Sequence, residues 1–269
     1  MPAGSLLINT INAHSYNVAC KDKEFAAALQ KSDVLLPDGI SVVWATRLLT
    51  GLKINKIAGA DLFEYEMERL NKPASQTKTA TDTPYFAKNT GMERVASVRE
   101  RRSKALFIGS TEATLQKIKD RAGKEYPGVE LYSYSPPYKP EFSVEDNAAI
   151  YAYINTIQPD VIFIGMTAPK QEKWAARLVD SSRLTVESKE RKEQEVDTIN
   201  YPLPSNCHVC CIGAVFDFYA GTVRRAPRWM IQLGLEWFYR LLKEPRRMWK
   251  RYLVGNLIFV LSIIRERMS

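Results

Sequence analysis

The stretch "KALFIGSTEATLQKIKDRAGKEY", Lys104 to Tyr126, decides the fold class. It begins with a short apolar run that ends at Gly109, which is typical of a buried β-strand. Thr111 then stands where a helix N-cap is expected, and apolar residues recur after it at helical spacing. A strand, a glycine turn and a helix in this order predict one unit of a parallel sheet that is covered by helices.

The same order recurs along most of the chain. In "PDVIFIGMTAPKQEKWAARLVD" an apolar run ends at Gly165, Thr167 follows, and a helix is predicted to start at Pro169. Further predicted strands and helices are "SLLINTI", "DKEFAAALQKS", "VELYSYS", "VEDNAAIYAYINTIQ" and "CHVCCIGAVFDF". We therefore predict an α/β fold, a Rossmann-like parallel sheet flanked by helices, with ligands at the carboxyl ends of the strands.

The composition is that of a globular protein from a reducing compartment. Of the 269 residues, 45% are hydrophobic and 25% are charged, and the first residues show no secretory signal pattern. Three of the four cysteines cluster at Cys207, Cys210 and Cys211, which is not a disulfide framework for a chain of this size. We therefore expect a cytoplasmic protein.

Residues 1–220 are predicted to form the α/β core, with mobile insertions at 72–103 and 181–206, because both segments are polar or charged and lack periodicity. Residues 221–269, called the appendage below, are predicted to be helical. The appendage carries eleven Lys/Arg against three Asp/Glu, whereas the rest of the chain is neutral. Such a segment suits a polyanion, whether an anionic membrane surface, a nucleic acid or a phosphorylated substrate.

Two interpretations of the appendage stay open on its physics alone. The apolar run from Tyr252 to Ile264 is shorter than the ~20 residues that a membrane-spanning helix needs. Aromatic residues beside a basic cluster favour a helix that lies in a membrane interface. Packing of the same run against the core is the competing interpretation.

The segment "CHVCC" suggests zinc at first sight, since it joins Cys207 and Cys210 with His208. There is no second cysteine pair, however, and the only other histidine, His14, is far away in the sequence and is expected to be structural in a strand-end loop. Alternation along one strand would also point the three side chains to different faces. We predict no metal and no other cofactor, with the cysteines acting as small core residues.

Four residues at the two glycine junctions are candidates for phosphate binding. Backbone amides at Gly109 and Gly165, together with a helix N-terminus near Thr111 or Thr167, suit the phosphates of a nucleotide. The alternative is that the glycines make tight turns and the threonines cap helices. Two such junctions in one sheet favour a nucleotide cleft.

Asp38 is the candidate for acid–base chemistry. In "LLPDGISVVW" it stands at a sharp turn between two apolar segments that we expect to be buried, where desolvation would raise its pKa into the range of a general base. Capping of the next helix is the alternative, and the residues alone leave both open. Asp61 is predicted to be a helix N-cap.

Six stretches resemble, in this order, the WecG/TagA/CpsF glycosyltransferases over nearly the whole chain outside the insertions. They are "TINAHSYNVA", "LLPDGISVVWATRLL", "IAGADLF", "FIGSTEAT", "PDVIFIGMTAPKQEKW" and "GAVFDFYAGTVRRAPRWMIQLGLEWFYRLLKEPRR". The resemblance implies an inverting, metal-independent transfer of N-acetylmannosamine, or a related sugar, from a UDP-sugar. It implies an undecaprenyl-diphosphate-linked sugar as acceptor, in surface polysaccharide or teichoic-acid synthesis.

The resemblance also assigns residues and a location. By motif, the catalytic positions fall on Asp38, Thr10, Asn12 and Gln171, and the substrate-binding arginines of the appendage on Arg240, Arg247 and Arg251, with Lys250 as the alternative to the last. It implies peripheral attachment to the inner face of the plasma membrane through the appendage, and leaves a homo-oligomer open. The family usually carries one more strand and helix before the segment equivalent to "SLLINTI", and that difference bears on activity more than on fold.

Two other functions compete with this one. A nucleic-acid-binding protein would explain the basic appendage but gives no role to "PDG" or to the glycine junctions, so we expect no nucleic-acid partner. A non-catalytic, membrane-associated protein of polysaccharide assembly is the second alternative. Turnover of a UDP-sugar distinguishes it from an enzyme.

Overall fold

The computed structural model describes residues 5–72, 102–190, 203–204 and 206–268, with only the backbone described at 184–190, 228, 232 and 247. The predicted insertion 72–103 thus lies almost wholly outside the described residues. The second predicted insertion, 181–206, differs from the prediction at its start. Residues 181–190 continue the preceding helix because the start of this run is held by the core: the buried Ser182 side chain accepts from the Leu203 N–H at 2.8 Å, and Arg183 donates to the Ser5 carbonyl at 3.0 Å.

Six strands and twelve α-helices form the described fold. The strands are β1 (Leu6–Ile11), β2 (Val34–Pro37), β3 (Ser103–Gly109), β4 (Val129–Tyr134), β5 (Val161–Gly165) and β6 (His208–Cys211). The helices of the core are α1 (Ala13–Ala19), α2 (Lys23–Gln30), α3 (Ile40–Thr50), α4 (Gly59–Asn71), α5 (Glu112–Glu125), α6 (Val144–Ile157), α7 (Lys170–Glu190) and α8 (Val215–Tyr219). The helices of the appendage are α9 (Arg228–Gln232), α10 (Glu236–Lys243), α11 (Pro245–Trp249) and, after a π-helical turn at Lys250–Val254, α12 (Gly255–Met268).

The strands make one sheet in the order β2-β1-β6-β5-β3-β4, and every adjacent pair is parallel. This confirms the predicted α/β class. Since all strands run the same way, their carboxyl ends, with the loops that follow them, share one edge of the sheet.

Two apolar clusters cover the two faces of the sheet. On β3, Leu106 and Ile108 point to the face covered by α2, α6 and α7, whereas Ala105 and Phe107 point to the face covered by α4, α5 and α8. All four side chains are fully buried. A strand that is apolar on both faces is typical of a parallel sheet between helix layers, which is why these segments read as continuous apolar runs.

The apolar segments on either side of Asp38 are only partly buried, contrary to the prediction. Val34 and Leu35 of β2 are 37% and 41% exposed, and Trp44 of α3 is 71% exposed. The reason is position: β2 is an edge strand that pairs with β1 alone, and the helix that follows it covers only part of that edge.

His14 lies in a helix and not in a strand-end loop, which is also contrary to the prediction. The Asn12 side chain accepts hydrogen bonds from the backbone N–H groups of His14 (3.0 Å) and Ser15 (3.1 Å), so that α1 begins directly after β1. Because Asn12 caps α1, the first helical turn is fixed at the carboxyl end of β1.

The appendage packs against the core through its last helix. Phe259 and Ile263 of α12 are buried against Ala13 of α1 and Ala45 of α3. The Asn17 side chain also donates a hydrogen bond to the Gly255 carbonyl at 2.7 Å. Within the described ranges, no helix combines the length and the apolar character needed to cross a bilayer.

Candidate active site

A cleft of about 1870 Å³ lies along the carboxyl edge of the sheet, between the strand-end loops and the appendage. Ten of the eleven predicted site residues line it: Thr10, Asn12, Asp38, Gly109, Thr111, Gly165, Thr167, Gln171, Arg240 and Arg251. The eleventh, Arg247, belongs to α11, and its side chain is outside the described part of the chain. The structure therefore brings together residues that are up to 241 positions apart.

Asp38 is placed as a cleft carboxylate and does not cap the next helix. Its backbone N–H donates to the Ile11 carbonyl at 2.9 Å, which ties the turn to the end of β1. The N-cap of α3 is Gly39, and no side chain caps that helix. Of the two interpretations that the sequence left open, the geometry thus favours the carboxylate in the cleft.

Burial is the largest influence on Asp38 and raises the pKa of its carboxyl above the ordinary range. Four charges modify that pKa. Lys56 and Arg240 lower it by attraction, whereas Glu236 and Asp61 raise it by repulsion. A carboxylate whose pKa is raised in this way is a stronger base than one in water.

Asp61 caps its helix from inside the first turn, so the prediction that it is the N-cap is wrong. The N-cap position is Ala58, and the Asp61 carboxylate accepts a hydrogen bond from the Ala58 N–H at 2.8 Å. The third position of a helix suits an acidic side chain because it faces the free amides and the positive end of the helix dipole.

A cluster of charges joins the appendage to the core beside Asp38. Glu236 of α10 lies 3.4 Å from Arg240, 3.5 Å from Arg225 and 4.0 Å from Lys56, measured between side-chain nitrogen and oxygen atoms. All four side chains line the cleft. Three cations around one carboxylate leave a net positive charge, which suits an anionic ligand.

No role was predicted from the sequence for Lys56, Arg225 or Glu236. Arg225 and Glu236 lie in the quoted segments "RRAPRW" and "GLEW", and the presence of charges within those motifs was the available signal. Lys56 had none, because a lone lysine in a loop is normally a solvated side chain.

Gln171 is 4% exposed, and both polar atoms of its amide are engaged within the protein. Its oxygen accepts from the backbone N–H groups of Gly213 (3.2 Å) and Met166 (3.3 Å), while its nitrogen donates to Glu172 at 2.9 Å. The side chain thus joins the loops that follow β5 and β6. Glu172 is also buried, which raises the pKa of its carboxyl.

The two glycine turns need glycine because their backbones approach closely. Gly109 has φ +120°, and a Cβ there would lie 2.5 Å from the Gly165 carbonyl oxygen. A Cβ on Gly165 would lie 2.3 Å from the ring of Phe216. Thr111 is the N-cap of α5, as predicted, and accepts from the Thr114 N–H at 3.3 Å. The two glycines therefore make tight turns and Thr111 caps its helix, as the alternative interpretation expected. Thr111 also lines the cleft, so the amino end of α5 faces it.

The described residues include no group of three or more His, Cys, Asp and Glu side chains arranged for a metal ion. Cys207 and Cys211 pack on one face of the sheet and Cys210 on the other, and burial raises the pKa of all three thiols. His208 contacts Glu66, with 2.9 Å between Nδ1 and Oε1. The "CHVCC" segment is thus used for packing and for one polar contact to the buried Glu66 side chain.

An all-parallel sheet with a charged cleft at its carboxyl edge is the architecture of an α/β protein that binds its ligand at that edge. Residues 2–88, 90–187 and 190–269 match the model of the glycosyl transferase WecG/TagA/CpsF family. The chain belongs to this family and is a glycosyltransferase.

Two bacterial relatives carry the same name, N-acetylglucosaminyldiphosphoundecaprenol N-acetyl-beta-D-mannosaminyltransferase. The protein from Bacillus subtilis (strain 168) is 27% identical over 261 residues, which cover 97% of this chain and 79% of the relative. The protein from Bacillus spizizenii (strain ATCC 23059 / NRRL B-14472 / W23) is 25% identical over 235 residues, which cover 87% and 70%.

Proposed function

We propose that this glycosyltransferase moves N-acetylmannosamine, or a closely related sugar, from a UDP-sugar to N-acetylglucosamine on undecaprenyl diphosphate, with inversion at the anomeric carbon. The observation that carries the proposal is the carboxylate of Asp38 beside a cluster of cations in one cleft. The names of the two Bacillus relatives support the choice of donor and acceptor sugars.

Asp38 acts as the general base in this mechanism. It takes the proton from the acceptor hydroxyl while that oxygen forms a bond to the anomeric carbon, and the bond to the UDP oxygen breaks on the opposite face. The electron pair of the broken bond leaves with UDP. A pKa raised by burial strengthens Asp38 as a base in its ionised form.

The cations of the cleft neutralise the charge that develops on the departing diphosphate. Arg240 and Arg225 come from the appendage and Lys56 from the core, so that the leaving group is held from two sides. The amino end of α5 at Thr111 adds backbone N–H donors. Because the protein supplies these charges, we expect turnover to persist in the presence of a chelator.

We further propose that the enzyme lies on the inner face of the plasma membrane, attached through the appendage. The acceptor that we propose is a membrane lipid, and the appendage has an excess of eight positive charges. Each basic residue near an anionic surface contributes about 1 kcal/mol to binding. Whether the enzyme acts as one chain or as a homo-oligomer is decided by sedimentation in the presence of detergent.

The proposed reaction is tested with purified protein, a short-chain lipid diphosphate carrying N-acetylglucosamine, and a panel of UDP-N-acetylhexosamines. We expect formation of a disaccharide lipid and release of UDP, fastest with UDP-N-acetylmannosamine. Absence of turnover with every donor, from a folded protein that still binds vesicles, would instead support the non-catalytic assembly protein.

Two charges beside Asp38, one positive and one negative, are expected to affect the acid limb of the pH–activity profile in opposite ways. Neutralising the positive one should move the limb to higher pH, and neutralising the negative one should move it to lower pH. A base must be ionised to act, so turnover falls as the pH falls through its pKa. Lys56 lowers the pKa of Asp38, so Lys56→Gln should raise that pKa and shift the limb to higher pH. Glu236 raises it, so Glu236→Gln should shift the limb to lower pH. The measurement is kcat/KM between about pH 5 and about pH 9.

Lys53→Gln is the matched control, because Lys53 is an exposed lysine close in sequence that does not line the cleft. It should leave the profile in place. Shifts of the same sign for Lys56→Gln and Glu236→Gln would contradict the assignment of the limb to Asp38.

A further inference from the structure

Helix α3 exposes an apolar face to solvent although it belongs to the core. Trp44 is 71% exposed, and Leu48, one helical turn further on, is also exposed. An adjoining side of the helix packs inwards through Ala45. Exposed leucines scattered singly are ordinary, but a tryptophan and a leucine on one helical stripe form a patch that calls for a partner.

Helix α12 continues that patch. Its side towards the core buries Phe259 and Ile263, while an outer side exposes four apolar residues: Leu257, Val260, Leu261 and Ile264. Trp44 and Leu48 share a small cleft with Arg267 at the end of α12, so the exposed sides of the two helices adjoin. We call the six apolar residues Trp44, Leu48, Leu257, Val260, Leu261 and Ile264 the α3–α12 face.

The charges around this face are positive. Arg47 of α3 and Arg265 and Arg267 of α12 are exposed beside it. The acidic residue of the same turn, Glu266, accepts a hydrogen bond from the Tyr16 hydroxyl of α1 and so is directed towards the core. An apolar surface bordered by arginines matches the interface of an anionic bilayer, whereas two copies of it face to face would bring like charges together.

The face is continuous with the mouth of the active-site cleft. Ile40 begins α3 and Ile258 lies on α12, and both are partly exposed while they line the cleft. Ile40 and Ile258 belong to the two helices that form the α3–α12 face, so a substrate that enters the cleft past them approaches from that face.

We propose that the α3–α12 face is a membrane-docking surface that rests on an anionic bilayer, with the core helix α3 as much a part of it as the appendage helix α12. The cleft mouth then opens at the lipid headgroups. The proposal rests on the proposed function only for the lipid nature of the acceptor. The docking itself is measured without any substrate.

The test uses the full chain and vesicles of phosphatidylglycerol and phosphatidylcholine in a sedimentation assay. The variants are Trp44→Ser with Leu48→Ser on α3, and Leu257→Ser with Leu261→Ser on α12. Each pair removes two large apolar side chains from the bilayer interface, so the partition coefficient should fall by about tenfold or more for both pairs. Tyr65→Ser on α4, whose side chain is 63% exposed on another surface, is the matched control and should leave it unchanged.

A folding defect is separated from a docking defect by the single variant Trp44→Ser. Its side chain is mostly in solvent, so the melting temperature should stay near that of the unaltered protein while vesicle binding falls. Turnover on a water-soluble acceptor should be unchanged in every variant, whereas failure of the proposed function would show as absent turnover in the unaltered chain.

Two results would overturn the proposal. The first is that the double variant of α3 binds vesicles fully while the double variant of α12 does not bind. Helix α12 alone would then be the membrane contact. The second is self-association of the unaltered chain in analytical ultracentrifugation that Trp44→Ser abolishes while vesicle binding persists. The face would in that case be an interface between copies of this chain.

Discussion

The Asp38→Asn variant is expected to turn over roughly 10²–10⁴-fold more slowly than the unaltered enzyme, which is the range for removal of a general base. Asparagine keeps the size of the side chain and the backbone bond to Ile11, but it cannot take a proton. UDP binding should persist, because the cations that we assign to the diphosphate remain. Single-turnover kinetics and calorimetric titration of UDP separate the two effects.

Asp61→Asn is the matched control for this loss. Asp61 also influences Asp38 by its charge, but its carboxylate is engaged with the Ala58 N–H and does not line the cleft. We expect a small change in turnover and some loss of helix stability in that variant. Near-normal turnover by a folded Asp38→Asn protein would remove Asp38 from its role.

Deletion of residues 240–269 is expected to abolish both turnover and vesicle binding and to leave a folded core. It removes Arg240 and Arg251 from the cleft and the whole of α12 from the surface. All described members of the two clusters that cover the sheet lie before residue 221, so the sheet keeps its packing. The losses are checked with a water-soluble acceptor, with vesicles and by thermal unfolding.

Two single substitutions distinguish the two roles of the appendage. Arg240 contacts Glu236, and its guanidinium lies 4.7 Å from the centre of the Phe218 ring in the cleft. Arg240→Ala should therefore lower turnover by roughly 10²–10³-fold even on a soluble acceptor, as expected for loss of one charge-stabilising group. Arg265→Ala, an exposed arginine of α12, should weaken vesicle binding alone. Equal and purely membrane-dependent losses for both would mean that the appendage is only an anchor.

Local sequence patterns were sufficient for the sheet and for the strand-end positions of the cleft. β3 and β5 are apolar on both faces and end at glycines whose close approach tolerates no side chain, so strand, turn and helix follow from neighbouring residues. Thr10, Asp38 and Gln171 could be placed in one cleft because parallel strands end at one edge. These inferences need only the apolar periodicity of each segment and the common direction of the strands.

The charge cluster and the exposed face could not be predicted in the same way. Lys56 and Glu236 are 180 positions apart and meet only because the appendage folds back over the strand ends. The apolar pattern of α3 is the same whether its partner is the core or a lipid surface, so the burial expected for the segments beside Asp38 was wrong. Helix α7 continues past its expected end because Ser182 and Arg183 contact the core, and such contacts cannot be read from a polar local sequence.

The bond between Asn17 and the Gly255 carbonyl joins α1 to the start of α12. Asn12, which caps α1, and Asn17 both line the cleft, so the same short helix contacts the cleft and the appendage. A helix of seven residues is too short to bend appreciably between those contacts. If the two contacts of α1 couple the lipid surface to the cleft, that coupling is reciprocal: the factor by which a bilayer tightens sugar-nucleotide binding equals the factor by which the sugar nucleotide tightens bilayer binding.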